Sequence, residues 1–451
     1  MFTKKIKLDV LIKNHFKPIS TDRLALTERK FPDRVRSDLQ KGLERFLGDG
    51  VAIRGFLGIL NVYGNTMGID FAGLLVKGHR EYHPSPPVYD EVDVGEDRPI
   101  RCLKNGLWLL EREGMKFAVL MERRFQFERP EGIKVQVAAL DDEHGLDEAG
   151  KLFDLLEDAV KKSVSYRGKI LSLENNDMYT GESTGIRVHR LPSIDRDRVI
   201  LPSRTLELIE RNVLRFVDQR SRLAERGQAT KKGLLFYGPP GTGKTHTIRY
   251  LAGALKGHTT LLITAEQITL LSEYMTLARL LQPCLVVIED VDLIAKDRRE
   301  MSGPCEEALL NKLLNEMDGL NPDSRILFIL TTNRPETLES ALASRPGRVD
   351  QAIEFPLPDN LGRERLVDLY SKGLSVSDDV KREIVVRTAG VSASFIKELM
   401  RRCAQFQLER SDDGAVEIDD FEFALDEMLF SGGSLNRKLL GASIEGDHSC
   451  R

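Results

Sequence analysis

The stretch from Gly238 to Thr245 reads Gly-Pro-Pro-Gly-Thr-Gly-Lys-Thr and fits the pattern G-x-x-x-x-G-K-[ST]. An apolar strand candidate precedes it and a helix candidate follows, the context this pattern needs. Glycines at 238, 241 and 243 let the backbone curl until the N–H groups of Gly241, Thr242, Gly243 and Lys244 face one concavity. The next helix points its positive end at the same place, so the loop suits a polyphosphate. Lys244 would reach the β and γ phosphates, and the Thr245 hydroxyl would take one Mg²⁺ position. Pro240 in the loop and His246 at the helix start complete the candidate contacts.

Further on, Leu-Val-Val-Ile runs into Glu289 and Asp290, with Asp292 close behind. A carboxylate at the end of a buried strand is costly unless a cation or donor meets it. Mg²⁺ beside the phosphates would supply that charge, making Glu289 a second candidate metal ligand, while Asp290 could orient an attacking water. Asn333 closes another apolar run, Ile-Leu-Phe-Ile-Leu-Thr-Thr-Asn, where its amide could hold the water or the γ phosphate. The run Ser344-Arg345-Pro-Gly-Arg348-Val-Asp350 puts two guanidinium groups, matched to phosphoryl oxygens, on a stiff turn, although taken alone a plain surface turn explains it equally well.

The elements that must position these groups begin near residue 196. Apolar runs at GLLFY, TTLLIT, CLVVIED and ILFILTTN alternate with helical stretches, which predicts a parallel sheet covered on both faces. After LPDN (357–360) helical segments take over to about residue 430. In the last of them Asp419 and Glu422 fit a capping box, with Ile418 and Phe423 as its hydrophobic staple. Residues 1–195 differ, mixing helical RSDLQKGLERFL and DEAGKLFDLLEDAVKK with extended NGLWLL, KFAVLMER and KVQVAAL, so a separate α+β domain is expected. EREG (111–114) reads as a turn, HPSPPVYDE (83–91) as a proline-broken loop, and the polar ENNDMYTGESTG (174–185) as the link to the second half. Residues 433–451 are expected to fray.

The chain's 451 residues exceed what one core usually organises, and 41% hydrophobic with 30% charged residues excludes both a disordered chain and a membrane bundle. With 66 basic against 70 acidic side chains the formal charge is -4, which disfavours nucleic acid as a partner. Five scattered cysteines without a Cys-x-x-Cys pair fit a reducing compartment. No run approaches the roughly 18 apolar residues of a spanning helix, so a cytoplasmic protein without a membrane segment is expected.

Taken together, GPPGTGKT, VVIED, TTN, SRPGRVD and the helical region after 357 resemble the AAA ATPase family over roughly residues 196–430. The resemblance implies a P-loop α/β fold: a large ATPase domain at 196–357 with its sheet sandwiched by helices, and a small helical lid at 358–432. It implies ATP and Mg²⁺ as cofactors and a ring, commonly a hexamer, with each ATP between neighbouring subunits. By matching position Lys244 and Thr245 are the Walker A pair, Glu289 and Asp290 the Walker B pair and Asn333 the sensor. Arg345 and Arg348 become fingers offered to the next subunit's ATP, and Asp318 in NEMDGL (315–320) carries nucleotide state between subunits. The N-terminal domain would select a protein to be remodelled or moved.

Two departures stand out. The acid pair runs Glu then Asp, so the water-orienting group is one methylene shorter than usual in the family, which implies slower hydrolysis. The segment Ala265–Pro283 is also short where threading members carry a pore loop; Tyr274 is its one aromatic, and its spacing from Leu270, Leu271 and Leu277 predicts packing. Both features are similar to the branch containing the mitochondrial Rieske-protein translocase. Resemblance to membrane-bound AAA zinc proteases is weaker, because no His-Glu-x-x-His occurs and the nearest run, His79-Arg-Glu81-Tyr-His83, continues into Pro84. An ATP-gated switch with slow hydrolysis is the alternative to a remodelling machine.

Overall fold

The computed structural model describes residues 7–61, 68–76, 82–126, 129–162, 164–174, 185–296, 312–313, 315–337, 349–411 and 414–431. The chain divides into two compact units, Met1–His189 and Arg190–Arg451.

The first unit is built on an antiparallel sheet of β1 (Leu24–Phe31), β2 (Ala52–Leu60), β3 (His83–Ser85), β4 (Val88–Val92), β5 (Ile100–Arg112), β6 (Met115–Gln126) and β7 (Arg129–Leu140). Their order is β1-β7-β6-β5-β2-β3, with β4 also on β5. Glu113 and Gly114, both at positive φ (51° and 84°), make the two-residue turn between β5 and β6. Turns of this hand match the strand twist, which fixes the register Arg112↔Met115. Side chains alternate between faces, so Leu107, Leu109, Ala118 and Leu120 share a core with α1 (Leu8–Phe16) and α3 (Phe71–Leu75). Two longer helices, α2 (Arg36–Gly48) and α4 (Glu143–Lys162), pack on each other and on β5 and β7.

Two expectations need correction here. The proline-rich stretch 83–91 is not a loop throughout: it supplies β3 and most of β4. Pro84 is tolerated because among the described residues β3 pairs with β2 alone, at Ile59↔Pro84, which makes it an edge strand. The polar stretch 174–185 does not link the halves. It joins two paired strands, β8 (Ile170–Leu173) and β9 (Ile186–His189), and Glu174 N donates to Gly185 O at 3.1 Å, with 175–184 outside the described residues.

The second unit holds five parallel strands, β10 (Lys232–Tyr237), β11 (Thr259–Ile263), β12 (Cys284–Ile288), β13 (Ile326–Thr332) and β14 (Gln351–Glu354). Their order is β14-β10-β13-β12-β11. Every residue of β12 and β13 is buried, as expected of central strands covered on both faces. The connecting helices are α5 (Ser203–Glu210), which runs through one π-turn into α6 (Phe216–Ala224), then α7 (Lys244–Ala254), α8 (Leu271–Leu280) and α9 (Val291–Lys296). Beyond the sheet come α10 (Asn360–Tyr370), α11 (Asp378–Arg387), α12 (Ala393–Arg410) and α13 (Ile418–Asp426), which share a core of Leu366, Ile384, Phe395, Leu399 and Phe421.

The capping box of α13 sits two residues earlier than expected. Glu417 is the N-cap and Asp420 answers it, Glu417 N donating to Asp420 Oδ2 at 2.8 Å. Ile418 and Phe423 are exposed, whereas Val416 and Phe421 occupy the flanking staple positions inside the core. Arg410 settles this register: its guanidinium bonds Asp420 Oδ2 at 2.9 Å and Glu417 Oε1 at 2.8 Å.

Candidate nucleotide site

The first and fourth strands of the second unit, β10 and β13, lie side by side with β12 next to β13, so their carboxyl ends open onto one place. Gly238 leaves β10 at φ 142°, where an added Cβ would stand 2.3 Å from Phe355 O. Gly241, at φ 76°, passes so close to the start of α12 that a Cβ would meet the Ser392 and Ser394 hydroxyls at 2.8 Å. Ser394 N donates to Gly241 O at 3.1 Å. Gly243, at φ 100°, is the N-cap of α7, so that helix's free amides begin at the loop.

Lys244 is buried, and its Nζ donates to Gly238 O (2.8 Å) and Pro239 O (3.0 Å). Burial pulls its pKa down to about 8, against the opposing charges of Asp290 and Asp292. Thr245 Oγ1 donates to Glu289 Oε1 at 2.8 Å, bringing together the two expected Mg²⁺ ligands from α7 and from just past β12. Asp290 takes the left-handed conformation at φ 51°, rare for a residue with a side chain. Its N donates to Thr331 Oγ1 (2.9 Å), and its Oδ1 accepts from Asn333 Nδ2 (3.0 Å).

Asp292 has a larger part than its place in the sequence suggested. It is 3% exposed, and its Oδ1 accepts from Thr332 Oγ1 (2.9 Å) and Asn333 N (3.2 Å). A buried carboxylate so bonded fixes the end of β13, and with it Asn333, against the acid pair. Only the short spacing from Asp290 to Asp292 could have signalled this role, and Thr331 and Thr332 read from the sequence as ordinary strand residues.

Behind the loop, a cavity of about 180 Å³ is lined by Arg198, Ile200, Gly241, His246, Tyr370 and Lys397, among others. His246 Nε2 bonds Arg198 O at 3.0 Å, and burial lowers its pKa. Thr242 is buried with its hydroxyl donating to Pro239 O at 2.9 Å, while Pro240 is exposed. Arg345 and Arg348 lie outside the described residues, as do His79 and Glu81. Asp350, just past the two arginines, accepts from Gly233 N at 2.8 Å and so fastens the start of β14 to β10. Asp318 O is one of three carbonyls, with those of Met317 and Leu320, that receive Lys231 Nζ at 3.2–3.4 Å. Tyr274 is fully buried in α8, its hydroxyl donating to Leu262 O at 3.0 Å, so its packing role holds.

Residues 234–357 match the model of the AAA family, "ATPase family associated with various cellular activities". They form an AAA ATPase domain. Relatives of this domain include an ATP-dependent zinc metalloprotease FtsH of Acaryochloris marina, 31% identical over 266 residues, which cover 56% of this chain and 39% of that protein. A 26S proteasome regulatory subunit 10B of Dictyostelium discoideum is 31% identical over 205 residues, 43% of this chain and 52% of that one. The FtsH of Thermotoga maritima is 30% identical over 242 residues, 51% and 39% of the two chains. The chain thus spans about two-fifths to half the length of these curated relatives.

The AAA domain fits the groups it implies. Concentrated backbone donors, a buried ammonium bonded to loop carbonyls, and a hydroxyl–carboxylate pair form the donor set a Mg²⁺–nucleotide needs. Among the described residues no cluster of three or more His, Cys, Asp or Glu is arranged for a metal ion. Nor is any described helix long and apolar enough to cross a membrane.

Proposed function

We propose that this protein hydrolyses ATP to remodel or move a protein partner. The observation that carries the reading is the meeting of Thr245 with Glu289 and of Asn333 with Asp290, four side chains from three separate segments converging beside the phosphate loop. Lys244 exchanges its two carbonyls for β and γ phosphate oxygens, and the amides of residues 241–244 complete the cradle. Thr245 and Glu289 hold Mg²⁺, which neutralises charge on the phosphates. Asp290 orients the attacking water and Asn333 positions it from the neighbouring strand. The close approach of Ser394 to Gly241 supports a lid, residues 358–432, that follows the phosphate loop as nucleotide comes and goes.

In the same reading the protein forms a homo-oligomeric ring, a hexamer or similar, in the cytoplasm. Arg345 and Arg348 reach the ATP of the next subunit, Asp318 relays its state, and residues 1–195 recognise the partner. The buried Tyr274 and the Glu–Asp order support a place near the translocase-like branch, which pulls or moves folded partners in preference to threading chains. The relatives' names, protease and proteasome subunit, are consistent with work on proteins. A Glu289→Gln, Asp290→Asn variant incubated with ATP should retain nucleotide and co-purify with the partner. A variant that still turns over ATP at the wild-type rate would sink the site assignment.

A second reading, an ATP-gated switch, is favoured by Asp290. Its carboxylate is one methylene shorter than glutamate's and already bonds Asn333, so in this reading it reaches the attacking water less readily. A switch turns over slowly whatever partner is present and changes oligomeric state with nucleotide, whereas a remodeller speeds up with its substrate.

A further inference from the structure

The opposite edge of the same sheet holds a different kind of charge. Arg220, on α6, is only 5% exposed, and among the described residues none of its Nε, Nη1 and Nη2 atoms has a hydrogen-bond partner. His258, the residue before β11, has both ring nitrogens buried and without a hydrogen bond of normal geometry among the described residues, while the Lys256 backbone lies near enough to hold its pKa up against burial. The two groups are near enough for the Arg220 charge to add to burial in lowering the His258 pKa. Arg325, the residue before β13, acts on Arg220 in the same sense, and burial with this neighbour brings Arg220 down to about 10. Among the described residues Arg220 has one favourable contact for its charge, the ring of Phe216 at 5.4 Å from Cζ. No described carboxylate bonds to it.

Nitrogen donors of this kind do not stay buried without an acceptor, because a charge out of water is strongly unfavourable unless it is paired and bonded. We propose that Arg220 and His258 form a binding site for a small inorganic oxyanion of the phosphate or sulfate class, at the amino ends of the strands. The planar guanidinium supplies a fork that matches two oxyanion oxygens. An imidazole N–H takes a third oxygen, and Arg325 adds long-range attraction. The ring of Phe216 closes one face of the guanidinium, which leaves its in-plane nitrogens as the contacts for the ion. Because these nitrogens are sealed from solvent, the ion enters during folding or through a local opening of α6, and it stabilises the folded chain.

The test is independent of the ATPase reading. Full-length protein is saturated with a non-hydrolysable ATP analogue and Mg²⁺, so that the phosphate loop is filled, and then dialysed against radiolabelled phosphate. One phosphate per chain, in addition to the analogue, is the expected result, with a melting temperature that rises saturably by roughly 5 °C between phosphate-free buffer and 100 mM. Arg220→Met should abolish both effects. If that variant does not fold, His258→Phe should weaken the retention at least tenfold. No retained phosphate, as when a buried water alone meets these nitrogens, would overturn the proposal. So would retention unchanged in the variants, or an equal response to chloride, which has no oxygens for the fork.

Discussion

The two edges of the parallel sheet treat charge in opposite ways. At the carboxyl edge each buried polar group has a partner: Lys244 has two carbonyls, Thr245 has Glu289, Asn333 has Asp290, and Asp292 has Thr332 and the Asn333 amide. At the amino edge Arg220 has none among the described residues, and His258 has no more than a neighbouring Lys256 backbone group. Acids gathered with donors can exchange internal bonds for bonds to phosphate and metal at small cost, since each group keeps a partner in both states. The amino edge has no such alternative set. It needs an acceptor from outside, or it remains a source of instability.

The largest expected effect breaks the carboxyl edge. Lys244→Ala should lower steady-state ATP turnover roughly 100- to 1,000-fold, the usual consequence of removing a donor to developing phosphoryl charge. Next, Asp292→Ala should cost about 3 kcal/mol in urea unfolding, because it strands the Thr332 hydroxyl and the Asn333 amide in a buried place. Turnover should fall with it as Asn333 loses its position. A stability change below about 0.5 kcal/mol would show that the acid is not the organiser described above.

The amino edge should respond with the opposite sign. In phosphate- and sulfate-free buffer Arg220→Met should stabilise the protein by about 1–2 kcal/mol, since an apolar chain of similar length replaces an unpaired buried charge. Loss of stability in that buffer would mean that the guanidinium already has its partner.

A smaller effect concerns pH. The Lys244 pKa is lowered from 10.5 to about 8, so in the nucleotide-free protein the ammonium is lost as pH rises through 8. Affinity for an ATP analogue should be flat below pH 7 and fall by up to about tenfold per unit above 8, as read by equilibrium titration. Between those two pKa values the unfolded chain holds more protons than the folded one. The nucleotide-free protein should therefore gain stability over the same range. Smallest of all, if Asp290 orients the water as proposed, Asp290→Glu should raise turnover roughly two- to tenfold by restoring the carboxylate's reach, and an unchanged rate would remove the reason for expecting slow hydrolysis.

Much of the carboxyl edge was legible before any coordinates. The residues from Gly238 to Thr245 are contiguous, and local backbone geometry alone dictates their loop: Gly238, Gly241 and Gly243 all take positive φ. Glu289 and Asn333 were legible because each ends an unbroken apolar run that has to be a buried strand. Asp292, Thr331 and Thr332 were not, since their bonds cross between strands distant in sequence. The α13 cap was misplaced by two residues because Asp419 and Glu422 fit the local pattern as well as Glu417 and Asp420 do, and Arg410, from another helix, settles the choice. The proline-rich stretch 83–91 failed for a related reason, as proline excludes a central strand but not a short one at an edge.

By itself, then, the sequence determined the glycine loop, the alternation of strands and helices and the strand-end positions of the acids, all features set by neighbours within a few residues. Only the tertiary structure decided which strands lie side by side, that Asp292 is sealed beneath Asn333, and that Arg220 is buried without an acceptor. Burial and pairing are properties of segments far apart in the chain, and the free energy of a charge depends on what surrounds it in space and hardly at all on what precedes it in sequence.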